Sequence, residues 1–146
     1  MEELLEKMRR YCAYQERSIL EVREKLRPSN LPANKIDIII KKLVEESFID
    51  EERFTECFIS GKFRTKQWGK NKIRQHLILK GINSNTINTH LESDIDEDEY
   101  KEILKNQIDK YRKMNDVSTE NGIAKLFRHF IGKGYDYENI KNALKE

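Results

Sequence analysis

The chain has 146 residues, 37% of them hydrophobic and another 37% charged, with a formal net charge of +2. That is enough apolar surface for modest cores only, and no window approaches the roughly 18 apolar residues of a membrane span. Two prolines and six glycines favour helix throughout.

Helices are predicted near 2–14, 18–27 and 33–46. Ser18 followed by Glu21 makes a capping box for the second. Arg27-Pro28-Ser29-Asn30-Leu31-Pro32 stops it, and Asn34 or Ser29 offers a cap for the third. Strand competes for the β-branched run Ile36–Ile40, but apolar spacing through Leu43 and Val44 favours helix. Asp50 is the predicted N-cap of a helix near 50–65 that carries Phe54, Phe58 and Ile59 inward and is broken at Trp68-Gly69. The next helix covers about 70–80 and ends at Lys80-Gly81, where glycine can take the left-handed conformation. Ser84 is predicted to cap a short helix to about 92. After an acidic link, Glu92–Glu99, helices are expected near 97–113, 119–132 and 136–145, with Gly134 and Asp136 as stop and start.

One apolar pattern recurs along this series. It runs Val22, Leu26, Leu31, Ile36, Ile40, then Ile73, Leu77, Ile82, Ile87, Leu91, then Leu126, Phe130, Tyr135, Ile140, Leu144. The internal offsets are the same in each copy, and the copies lie 51 and 53 residues apart. Such a period predicts tandem supersecondary units. The expected architecture is all-α, with three three-helix repeats at 1–48, 49–93 and 94–146. Cys12 and Cys57 read as buried thiols of a reducing compartment. The acidic start MEELLEKMRR differs from a secretory signal, which predicts a cytoplasmic protein. Polar ends at Met1–Lys7 and Lys141–Glu146 read as capped and monomeric.

Charge is unevenly spread. From Cys57 to Leu91 there is no Asp or Glu, while Lys62, Arg64, Lys66, Lys70, Lys72, Arg74 and Lys80 bring +7. Lys66, Lys70 and Arg74 are four apart, so they line one face if helix spans Trp68-Gly69. Such a row can track phosphates or an acidic protein surface. Trp68 can stack on a base or pack one helix of its unit against the next, and packing is favoured over stacking.

Catalytic chemistry has no support. His76, His90 and His129 form no HExxH motif and have no cysteine partner at metal spacing. Asp94, Asp96, Asp98 and Glu99 lack the glycine and terminal glutamate of a calcium loop and read as a solvated linker. No metal, cofactor or catalytic residue is expected.

Three segments resemble the RecX regulatory family. They are Glu16–Leu26 (ERSILEVREKL), Leu43–Phe58 (LVEESFIDEERFTECF) with Lys62, Arg64 and Gly69 after it, and Lys72–Ile82 (KIRQHLILKGI). The likeness covers residues 11–91 and continues in the third unit through apolar spacing. Lys70-Asn71 follows Gly69 where the family usually has a proline, and Arg27-Pro28-Ser29-Asn30 replaces a lysine-glycine turn. The resemblance implies three tandem three-helix units in an elongated, curved stack. It also implies a non-enzymatic regulator that binds the RecA recombinase filament and lowers its ATP hydrolysis, growth and strand exchange in recombination and repair. The basic face would then meet RecA or DNA. An alternative reading, from helix-turn-helix-like units with a basic second helix, is a direct DNA-binding protein. A plain helical scaffold rests on the repeat alone.

Overall fold

In the computed structural model, which describes residues 1–145, the chain is all-α, with nine α-helices and no strand among those residues. They are α1 (Glu2–Tyr14), α2 (Ile19–Leu26), α3 (Ala33–Glu45), α4 (Glu51–Ser60), α5 (Lys70–Leu79), α6 (Ser84–Asp94), α7 (Glu97–Met114), α8 (Glu120–Gly132) and α9 (Tyr137–Lys145). Ile36–Ile40 lie within α3, where Ile39, Ile40 and Leu43 are buried on one face.

Local chemistry accounts for most helix ends. Ser18 Oγ accepts from the Glu21 N–H at 3.2 Å, and the Glu21 carboxylate accepts from the Ser18 N–H at 3.0 Å, closing the predicted box. Asp50 Oδ1 accepts from the N–H groups of Glu52 and Arg53, and Asp136 Oδ1 from that of Asn139. Two caps differ from expectation. Pro32 precedes α3 with no side-chain cap, and Ser29 Oγ instead donates back to the Leu26 carbonyl. At α6 the side-chain acceptor is Asn83, whose Oδ1 takes the Asn85 N–H at 2.8 Å; Ser84 is already helical.

The repeated apolar positions face inward. Val22, Leu26, Ile40, all five from Ile73 to Leu91, and Leu126, Phe130, Tyr135 and Ile140 are buried, while Leu31, Ile36 and Leu144 are half-buried. Each fully buried aliphatic or aromatic side chain contributes about 1.5–3 kcal/mol relative to exposure.

Two compact units emerge from the packing. One comprises Met1–Phe58 with Leu77–Ile87, the other Ile59–His76 with Asn88 to the end of the described chain, and the chain crosses between them inside α4, α5 and α6. The first has a core that includes Leu5, Met8, Val22, Leu26, Leu43 and Ile49. In the second, the rings of Phe63, Tyr100 and Tyr135 form a buried series, with centroids 6.0 Å and 5.3 Å apart. Desolvation in that core raises both tyrosine pKa values, that of Tyr135 to about 12.

The same coupling device recurs in both units. The first N–H of α2, on Ile19, donates to Glu51 Oε2 at 3.1 Å from α4. The equivalent N–H of α5, on Lys70, donates to Tyr100 Oη at 2.9 Å from α7. In each case a side chain from two helices further along the chain satisfies an orphaned amide at a helix start. The turns after α2, α5 and α8 place Asn30, Gly81 and Gly134 at φ 56°, 81° and 105°, at the same sequence period. Asparagine is among the few residues besides glycine that visit this region readily.

A very tight backbone contact lies in the second unit. A Cβ on Gly69 would sit 2.2 Å from the Gly134 carbonyl carbon and 2.4 Å from the Tyr135 nitrogen. One on Gly134 would meet the Lys72 Cβ at 2.5 Å. Two backbone hydrogen bonds seal the contact, from Gly69 N–H to the Lys133 carbonyl at 2.8 Å and from Asn71 N–H to the Gly134 carbonyl at 3.0 Å. Both glycines are therefore required by backbone approach.

The thiols separate in a way the sequence reading did not anticipate. Cys12 is buried, but Cys57 is exposed, because the inward positions of α4 are Phe54, Thr55 and Ile59. Burial pushes the Cys12 thiol up to about 11.

Three outcomes are expected. Gly69→Ala should lower unfolding free energy by about 3 kcal/mol in urea titration. Gly132→Ala, where a Cβ meets open space, should be neutral or stabilise by about 0.5–1 kcal/mol. With a thiol reagent at pH 8, Cys57 should react promptly and Cys12 only on unfolding, since the thiolate is the reactive form; equal rates in the folded chain would contradict the burial.

Candidate binding surface

The basic block follows α4 through a π-helical turn, Gly61–Thr65, in which the Lys66 N–H reaches the Gly61 carbonyl. The chain then leaves helical geometry. Gln67 adopts φ 58°, and α5 begins only at Lys70. The Gln67 carbonyl accepts from Tyr135 Oη at 2.8 Å and from Gln107 Nε2 at 3.3 Å, which holds the break in place. Helix does not span Trp68-Gly69, so Lys66 is not in one helical row with Lys70 and Arg74.

Among the described residues, carboxylates from outside the block pair with Arg64, Lys70 and Lys80. Arg64 pairs with Glu99 at 2.5 Å, Lys70 with Glu97 at 2.8 Å and Lys80 with Glu21 at 3.2 Å. Exposed pairs add little stability, but each removes a positive charge from the local field. Lys70 also lies 4.7 Å from the Tyr100 ring centroid. Lys80 belongs to the first compact unit, and Lys62 to Arg74 to the second. Lys66 is exposed and forms no ion pair among the described residues. Arg74 contacts the amide oxygens of Asn71 at 2.9 Å and Asn88 at 3.3 Å, which orient its guanidinium and leave its charge intact.

Trp68 is half-buried. The ammonium groups of Lys62 and Lys72 lie 4.9 Å and 4.4 Å from its ring centroid, and the His76 ring is 4.6 Å away. It ties the π-helical turn to α5, and cation–π pairs at such sites contribute about 0.5–1 kcal/mol each.

The acidic link is more engaged than a solvated linker. Asp94 meets His90 Nδ1 at 2.9 Å, Asp96 caps α7 through the Glu99 N–H, and Glu97 and Glu99 hold Lys70 and Arg64. His90 is buried, His76 half-buried, and His129 exposed beside Tyr111 and Phe130. Partial desolvation and then neighbouring Lys133 hold the His129 imidazole below its ordinary pKa. No group of three or more His, Cys, Asp or Glu able to hold a metal occurs among the described residues, and no helix there is long and apolar enough to cross a membrane.

The fold also brings Lys133, Lys110 and Tyr111 beside Gln67 at the break. Sequence reasoning left these residues aside. The repeat carried a signal for one of them, since Lys133-Gly134 is the period equivalent of Lys80-Gly81.

Comparisons with known proteins bear on the same region. The family model described as RecX, second three-helix domain, matches residues 50–91. The regulatory protein RecX of Clostridium tetani (strain Massachusetts / E88) is 35% identical over 137 residues, covering 86% of this chain and 58% of that protein. The regulatory protein RecX of Clostridium botulinum (strain Eklund 17B / Type B) is 32% identical over 130 residues, covering 86% and 59%. The chain thus spans under two thirds of the length of the curated relatives it matches. The crystal structure of RecX from Lactobacillus salivarius superposes with a TM-score of 0.83 at 24% identity, covering 99% of this chain and 97% of that one, a likeness of fold. The middle of the chain thus matches a RecX domain, and over most of its length the chain is similar to regulatory proteins of the RecX family.

Proposed function

We propose that this chain is a non-enzymatic regulator that binds the RecA recombinase filament and restrains its ATP hydrolysis, growth and strand exchange. The observation that carries this is the acid-free stretch from Cys57 to Leu91, within the repeat matched by the RecX family model. After internal pairing it keeps Lys66, Lys72 and Arg74, beside Lys62, as its positive surface. That surface suits DNA phosphate or an acidic face of RecA. The division into repeats 1–48, 49–93 and 94–146 belongs to the same reading, with the outer repeats making protein contacts and the chain acting as a monomer. Lys70 and Lys80, tied to Glu97 and Glu21, serve chiefly to hold α5 in place.

A second reading, direct DNA binding without RecA, draws support from the half-buried Trp68 between two lysine ammonium groups. Contact with four duplex phosphates would make the logarithm of the association constant fall against log salt with a slope of about −3 to −4.

The decisive measurement is single-strand-DNA-dependent ATP hydrolysis by the RecA of the same organism, with this chain titrated in well below one copy per RecA. Hydrolysis should fall at such ratios, and Lys66→Glu with Arg74→Glu should raise the half-inhibitory concentration about tenfold. No fall at equal ratios with DNA in excess removes the RecA reading. A salt slope near zero for the chain alone on duplex removes the second.

A further inference from the structure

The Gly69–Gly134 contact creates a second feature, distinct from the basic face around Trp68. Beside the Gln67 break lies an open cleft of about 260 Å³, lined by Gln67, Gln107, Lys110, Tyr111, His129 and Lys133 among others. Its aromatic part is a cluster in which the Tyr111 ring lies 5.2 Å from His129 and 5.8 Å from Phe130.

Its charge is one-sided. Lys110 is exposed and has no ion pair among the described residues. Lys133 is half-buried, and its Nζ donates to the amide oxygen of Gln107, with no carboxylate in reach. Lys72, whose ammonium lies over the Trp68 ring and outside the cleft, adds to the positive potential at Lys133. Desolvation and then Lys72 hold the Lys133 pKa below its ordinary value, which reflects this crowding. No carboxylate lines the cleft among the described residues. Like charges gathered in a partly desolvated place are unfavourable until an anion joins them.

The ligand must therefore supply negative charge and a flat ring. The cleft is smaller than the ~300–1,000 Å³ of ordinary cofactor pockets, so it suits one planar group with its attached phosphate. A duplex keeps its bases stacked and offers only phosphate; an acidic peptide would use the lysines and leave the rings idle. Basic groups beside aromatic rings are the means by which single strands are held.

We propose that this cleft on α7 and α8 holds one unstacked nucleotide of a single-stranded nucleic acid, its base against Tyr111 and His129 and its phosphate on Lys110 and Lys133. Binding here goes beyond the RecA reading and does not depend on it, because it is measured on the chain alone.

The test is fluorescence anisotropy of labelled oligothymidylate with the full chain and no RecA, set against an abasic phosphodiester strand of equal length. The abasic strand should bind at least about fivefold more weakly, the lower end for loss of one stacked base. In Tyr111→Leu that difference should collapse towards one. Lys110→Gln, at an exposed position, should weaken oligothymidylate about threefold or more, with an unchanged melting temperature. Equal affinity for the two strands, an undiminished preference in Tyr111→Leu, or unchanged affinity in Lys110→Gln overturns the assignment. If Tyr111→Leu fails to fold, the Lys110→Gln result decides. RecA inhibition is scored separately with Lys66→Glu and Arg74→Glu, so loss of one activity is distinguishable from loss of the other.

Discussion

Two glycine backbones in contact set much of what the second compact unit can do. Gly69 and Gly134 approach until neither can carry a Cβ, and the hydrogen bonds flanking them run directly between main chains. Because that contact holds the segment before α5 against the turn after α8, Gln67 is kept in a left-handed conformation with its carbonyl turned towards Tyr135 and Gln107. The break between α4 and α5, the position of Trp68 and the neighbourhood of Lys72 all follow. A side chain at either glycine would separate the segments and release each of these at once.

The electrostatics show how a charge count misleads when read along the chain alone. The middle block has no acids of its own, yet Glu97 and Glu99 reach Lys70 and Arg64, and Glu21 reaches Lys80. These pairs convert an apparent row of seven cations into a smaller patch around Trp68. Meanwhile Lys133, in a C-terminal stretch that is acidic overall, has an amide and not a carboxylate as its partner. Net charge by segment therefore understates one positive site and overstates another.

A repeat of about fifty residues can be stabilised only if each copy meets its neighbour, since units of that size bury too little surface alone. Here the meeting uses polar chemistry as well as apolar packing. The first amide of α2 and that of α5 are each completed by a side chain from two helices further on, Glu51 in one case and Tyr100 in the other. The donor is the same backbone position at the same period, while the acceptor changes chemistry. Apolar spacing is preserved where polar identity has drifted, because any acceptor of the right reach satisfies an amide.

Local rules in the amino-acid sequence determined the helices of this protein. The capping box at Ser18, the stops at Gly81 and Gly134 and the three-fold apolar spacing each act within a few residues, so their consequences are legible without the fold. The family resemblance over residues 11–91 was legible for the same reason, as it rests on contiguous blocks. What only tertiary structure decided are contacts between residues far apart in sequence. No local pattern told that Cys57 faces outward, that Asn83 and not Ser84 would accept the α6 amide, or that the chain stays non-helical from Gln67 to Gly69. Nor could spacing reveal which carboxylates would find Arg64, Lys70 and Lys80, or that Lys110, Tyr111 and Lys133 would meet at Gln67. Those outcomes depend on which backbones can approach closely, and that is settled by packing across some sixty-five residues of intervening chain between Gly69 and Gly134.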